Sequence, residues 1–125
     1  MELSESILTS IKKLLGPEEE ETHFDPDLVI HINSVFSDLR QMGVGPSEGF
    51  AITDATAVWS DFIPEANLPK FASVKSYVYF RVKLMFDPPM NSSHLASIER
   101  QIREFEWRLN HTAETIEVEE EIQNG

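Results

Sequence analysis

Two long helix-forming segments on either side of Asp87-Pro88-Pro89 constrain the fold of this chain more than any other feature. The segment before this stop reads LPKFASVKSYVYFRVKLMF, and the segment after it reads SSHLASIERQIREFEWRLN. Proline lacks a backbone N–H and disfavours the helical conformation in the preceding residue, so neither helix continues through the pair. The sequence therefore predicts an antiparallel pair of helices, over residues 69–86 and 92–113.

The two segments differ in how apolar residues are distributed around the helix. The later one carries a single seam with alternating steps of three and four, formed by Leu95, Ile98, Ile102, Phe105 and Leu109. The earlier one is apolar around most of its circumference, which is typical of a central helix. Its main face is Phe71, Val74, Val78, Val82 and Met85, flanked by Tyr77, Tyr79, Phe80, Leu84 and Phe86. Such a helix must be covered by other helices or by a partner.

Two further helices are predicted upstream. Residues 3–15 carry one apolar stripe, with Ser4 or Ser6 as N-cap and a stop at Gly16-Pro17. The next helix begins at Asp25-Pro26, with Asp25 as N-cap and proline in the first turn, and stops at Gly43. The fold class predicted is mainly α, a small bundle of four main helices.

The insertion between the second and third helices, residues 44–64, has no clear period. Gly45-Pro46 and Gly49 break helices, and residues 53–56 have the composition of a turn. We predict an irregular segment or a short hairpin, followed by a helical turn at Trp59-Ser60-Asp61-Phe62. An isolated hairpin is only marginally stable, so it would have to pack on helices or on a neighbouring subunit.

Acidic residues are concentrated in two tracts of a chain that has 22 acids, 10 bases and a formal net charge of −12. Residues 18–27 hold six acids and residues 114–121 hold five, with no Lys or Arg in either tract. Such a chain gains no affinity for nucleic acid by counterion release, although it could border a DNA path. We predict one helical domain over residues 1–113 and a flexible acidic tail over residues 114–125.

The composition also limits the compartment. The 125 residues include no cysteine, which excludes disulfides and thiolate chemistry. Lys or Arg interrupts the longest apolar runs, and acids stand where a signal peptide needs bases. We expect a soluble protein of a reducing cytoplasm without a membrane segment.

Residues with catalytic or metal-binding potential do not form a recognisable constellation. The four histidines, His23, His31, His94 and His111, lack ligand spacing. Asp54 and Asp61 suit turn and cap roles better than acid–base catalysis, which needs a cleft and a positioned partner. We therefore predict no enzyme activity, no cofactor and no metal site.

Surfaces must then carry the function. The candidate protein-contact residues are Trp59, Phe62, Tyr77, Tyr79, Arg81 and Trp107. For the aromatic residues the alternative is core packing. Lys70, Lys75, Arg81 and Lys83 follow one helix and are either a partner-facing stripe or ordinary side chains whose charged ends reach solvent.

Several segments, taken in order, resemble a known family. They are SILTSIKKLLG, DPDLVIHINSVF, QMGVGP before GFAITD, WSDF, VKSYVYFRVKLMFDPP and IERQIREFEWRLN. Together they resemble head–tail connector (adaptor) proteins of long-tailed bacteriophages, encoded in prophages of low-GC Gram-positive bacteria. The resemblance spans residues 3–110 and leaves out the acidic tail.

The resemblance implies a structural virion protein of the neck, present in the host cytoplasm during assembly. Such connectors are small and mostly helical, and they form a ring, possibly dodecamer-like, under the portal protein. They receive the next neck or tail-completion protein and extend the channel through which DNA passes without sequence-specific binding. Within such a ring, the candidate channel-facing acids are Glu18, Glu19, Glu20 and Glu21.

Two other functional classes compete with this interpretation. A small acidic adaptor or regulatory protein would bind a basic protein partner and would be a monomer or dimer. An enzyme would need a cleft with convergent polar groups, for which the sequence offers no constellation.

Overall fold

Helices make up nearly all of the regular structure. The computed structural model describes residues 2–17, 20–63 and 68–124, with side chains for residues 3–17, 20–63 and 70–110. In chain order the helices are α1 (Ile7–Leu15), α2 (Asp25–Gln41), the single turn α3 (Trp59–Phe62), α4 (Leu68–Phe86) and α5 (Ser92–Asn124). A 3-10 turn, Glu2–Ser4, precedes α1, and the described ranges contain no strand. The predicted fold of four main helices is confirmed.

The central helix is α4, as its apolar circumference predicted. It packs against α1, α2 and α5. Its buried face consists of Phe71, Val74, Tyr77, Val78 and Val82. Tyr79, Phe80, Leu84 and Phe86 are partly buried against the same core, so helices of the chain itself supply much of the cover that α4 needs. Asp87-Pro88-Pro89 separates α4 from α5, as predicted.

The ends of α1 follow the sequence signals, whereas the start of α2 does not. Ser6 caps α1 by accepting a hydrogen bond from the Thr9 N–H, and Gly16 ends the helix in the left-handed conformation. In α2, Asp25 is the first helical residue, and Phe24 holds the N-cap position without a side-chain hydrogen bond. The prediction of Asp25 as N-cap is wrong because its carboxylate pairs instead with the buried Lys12 ammonium, 3.0 Å away.

The last helix is longer than predicted. α5 begins with Asn91 Oδ1 accepting hydrogen bonds from the N–H groups of Ser93 and His94, and its backbone remains helical to Asn124 rather than ending near Ala113. Apolar periodicity fades after that point, but no Gly or Pro interrupts residues 114–124, and glutamate is a good helix former. The flexibility of residues 114–125 as a tail stays a prediction.

The insertion over residues 44–64 takes the irregular form, and the hairpin alternative is wrong for its described part. The Ile52 N–H and C=O do not pair with a second strand; they bond to the Asn33 side chain on α2, at 2.8 and 2.9 Å. Val58 forms a single antiparallel bridge with Ser6, the residue that caps α1. The predicted helical turn is present as α3.

An aromatic cluster fills the space between α2, α4 and the insertion, which includes α3. Phe36 lies 4.6 Å from Phe62 and 5.3 Å from Phe50, and Trp59 lies 5.6 Å from Phe71, measured between ring centroids. The Trp59 indole N–H donates to Ser10 Oγ at 2.8 Å, which satisfies its buried polar atom. Aromatic packing, the Asn33–Ile52 hydrogen bonds and the Ser6–Val58 bridge therefore hold in place a segment whose sequence has no helical or strand period.

Candidate assembly surfaces

Three of the predicted contact residues lie in the core of the single chain. Trp59 and Tyr77 are 0% exposed and Phe62 is 3% exposed. The alternative of core packing describes these three. Of the others, Tyr79 and Arg81 are half-buried, whereas Trp107 is 68% exposed.

A polar network ties α2, α4 and α5 together at one side of the bundle. Arg81 on α4 donates to Asp38 Oδ2 on α2 and to the Tyr77 hydroxyl, both at 2.6 Å. The Tyr77 hydroxyl in turn donates to Glu106 Oε2 on α5 at 2.9 Å. The Arg81 guanidinium thus uses its fork of donors within its own chain, on Asp38 of α2 and on Tyr77 of α4.

This network forms the floor of a polar groove of about 410 Å³. Its lining residues are Asp38, Gln41, Met42, Tyr77, Arg81, Glu106 and Asn110. Burial, together with the hydrogen bond to Glu106, raises the pKa of Tyr77 to about 12. The phenol therefore stays protonated near neutral pH and remains a donor to Glu106. These groups link the helices of the bundle.

The cationic side chains of α4 do not form an unpaired stripe. Lys75 lies 3.5 Å from Glu5 Oε2, and Lys83 lies 2.9 Å from Asp87 Oδ2. Lys70 is half-buried, and this burial lowers its pKa. Of the two predicted alternatives, ordinary packing with local ion pairs describes α4 better than a partner-facing stripe.

A different basic surface lies on α5, opposite its buried seam. We define the α5 basic face as Arg100, Arg103, Trp107 and Arg108, which are all exposed and border a shallow depression of about 430 Å³ together with Glu104. The sequence pointed to Trp107 as a contact candidate but not to the arginines around it. On this face, Arg108 and Glu104 approach each other at 3.9 Å. The spacing of Arg100, Arg103 and Trp107, in steps of three and four, could have shown that the three share one face of the helix.

The acidic linker lies partly within the described ranges. Glu20 and Glu21 are exposed, and the Glu21 carbonyl accepts a 2.6 Å hydrogen bond from Lys12 Nζ, which attaches the linker to α1. Glu18 and Glu19, the other two candidate channel-facing acids, lie outside the described residues.

The described residues bring together no group of three or more His, Cys, Asp or Glu side chains that could hold a metal ion. No helix in the described part of the chain is long and apolar enough to cross a membrane. The described residues offer two charged surfaces instead: the acidic linker between α1 and α2, and the exposed α5 basic face with its indole.

Comparison with known families shows to which family the chain belongs. A family model described as phage connector protein matches residues 7–115. The chain belongs to the phage connector protein family. No curated protein and no solved structure gives a significant match. The family match runs from the start of α1 past the α5 basic face and ends before most of the acidic tail.

Membership identifies this connector as a structural protein of the phage virion that takes part in joining head to tail. The family is structural and not enzymatic, which confirms the prediction that the chain is not an enzyme. It also implies that the connector binds other virion proteins. Its exposed side chains are therefore the place to look for function.

Proposed function

We propose that this connector assembles as a ring under the portal protein of a long-tailed phage of Gram-positive bacteria, in the virion neck. The ring receives the next neck or tail-completion protein and extends the DNA channel, through which DNA passes during packaging and ejection without sequence-specific binding. The observation that carries this proposal is the family match over residues 7–115. An exposed basic face on α5 of an otherwise acidic chain supports it, because a ring needs two different complementary faces on each subunit.

The experiment that tests the proposal is the native mass of the purified protein, alone and mixed with the portal protein of its own phage. We expect the mixture to give a larger ring-shaped particle in which both proteins co-migrate, even where the connector alone is a monomer. A connector that never associates with the portal at any concentration would contradict the proposal. Binding to an unrelated basic protein instead would favour an acidic adaptor.

Glu18, Glu19, Glu20 and Glu21 are proposed to line the channel and to keep DNA from adhering to its wall, since like charges repel. Replacing all four with glutamine is expected to slow or stall DNA ejection, followed as the time course of DNA release from virions. E48Q/E99Q, which neutralises exposed carboxylates away from the linker, serves as control and should release DNA normally. Unchanged ejection in the linker variant would argue against a channel-facing position.

A further inference from the structure

The α5 basic face is unusual in a chain that carries a net charge of −12. Arg100 and Arg103 are one helical turn apart, and neither is within ion-pairing distance of a carboxylate among the described side chains. By contrast, Lys12, Lys13, Lys75, Arg81 and Lys83 each pair with an acid of the same chain. Among the described side chains, the guanidinium groups of Arg100 and Arg103 thus have no compensating acid.

The chemistry of this face selects an acidic helical or extended segment as its occupant. Arginine binds carboxylates through a planar fork of donors, and arginine and tryptophan are enriched among the residues that contribute most to interfaces. Trp107, 68% exposed, lies one turn beyond Arg103 on the same face. An occupant that offers several carboxylates and a few apolar side chains would meet both the charges and the indole.

Such a segment exists in the chain itself. Residues 114–121 contain five glutamates and no base, with Ile116 and Val118 among them. They cannot reach Arg100 or Arg103 of their own chain, because residues 103 and 114 of one helix are already separated by about 16 Å along its axis. For a tail of this chain to make the contact, it must come from another copy.

The length of α5 makes its tail accessible to a neighbour. With 33 residues α5 rises about 50 Å, whereas the 19 residues of α4, its antiparallel neighbour, rise about 28 Å. The last buried seam residue described is Leu109. The helical backbone after it therefore extends beyond the length that α4 can cover.

We propose that the α5 basic face of one subunit docks the acidic tail, residues 114–121, of the adjacent subunit. The contact is heterologous and head-to-tail, which is the kind that closes a ring. It rests on the ring assembly proposed above. It also goes beyond what the family implies, because most of the tail lies outside the family match.

Site-directed cross-linking tests the contact in the full-length chain, which has no cysteine of its own. One copy carries E104C, which borders the basic face, and the other carries V118C, within the tail; neither change removes the arginines of the face or the glutamates of the tail. The two are mixed, alone and with the portal protein, and treated with a short bismaleimide. We expect a covalent dimer from this mixture but not from S34C mixed with V118C, since Ser34 is exposed on α2.

The charges are tested in the same assay. Adding R100Q/R103Q to the E104C copy is expected to reduce cross-linking about tenfold, equivalent to roughly 1.4 kcal/mol. S34E/S37E lowers the net charge equally at exposed sites on α2 and should leave cross-linking unchanged. Raising the salt concentration should weaken the contact, because exposed charges are screened.

The outcomes separate this contact from ring assembly itself. A portal-associated particle that shows no more E104C–V118C product than S34C–V118C product would overturn the contact and leave the ring proposal intact. Cross-linking of V118C to the portal in place of a second copy would overturn it as well, and would assign the tail to the portal. Absence of association under all conditions would overturn both proposals.

Discussion

Trp59→Ala is expected to lower the free energy of unfolding by about 3–5 kcal/mol, which is typical of a large aromatic residue removed from a core. Trp59 is 0% exposed, lies against Phe71 and Phe36, and bonds to Ser10. The substitution leaves a cavity where three chain segments meet, and it leaves Ser10 without its indole donor. The measurement is urea denaturation followed by far-UV circular dichroism.

The chain provides its own control, because its other tryptophan is exposed. Trp107→Ala should change the free energy of unfolding by about 1 kcal/mol or less, as expected for a surface site. It should nevertheless weaken the cross-linking between subunits proposed above. Equal destabilisation by the two substitutions would show that Trp107 stabilises the single chain and would contradict its assignment to a docking face.

Gly45→Ala is expected to cost about 2–5 kcal/mol, the sum of backbone strain and overpacking. Gly45 has φ +91°, a conformation that a Cβ disfavours, and an added Cβ would overlap the Phe62 ring. Phe62 is itself buried against Phe36, so it cannot swing away without disturbing the aromatic cluster. Thermal and urea unfolding of the variant would measure the loss.

Gly16→Ala is the matched control for the backbone part of this cost. Gly16 also has a positive φ, +115°, but no atom lies within 4 Å of a Cβ built on it. We expect about 1–2 kcal/mol for this strain alone. Equal losses of stability in the two glycine variants would mean that the Phe62 ring is free to move. That result would refute a tight contact between Gly45 and α3.

Helix positions were predictable because their signals are local. The stripes of α1 and α2, the seam of α5 and the Asp87-Pro88-Pro89 stop depend on residues within a few positions of one another. The insertion was not predictable in the same way. Its anchors, Asn33 to Ile52 and Ser6 to Val58, join residues that no periodic pattern relates.

The candidate contact residues also divide into what the sequence could identify and what it could not. Sequence identified large aromatic and basic side chains, but it could not separate Trp59 and Tyr77, which are buried, from Trp107, which is exposed. Arg81 is drawn inward by acceptors on two helices, whereas Arg100 and Arg103 of α5 remain outside because no such acceptors face them among the described side chains.

The sequence by itself therefore determined the four helices, their order and most of the residues they bury, since helical periodicity and proline or glycine stops are read along the chain. The acidic tracts and the absence of cysteine are likewise properties of the sequence alone. Only the tertiary structure decided that Asp25 pairs with Lys12, that Arg81 closes a network with Tyr77 and Glu106, and that Arg100 and Arg103 face solvent. Those outcomes depend on distances between side chains on different helices, and such distances exist only once the helices have packed.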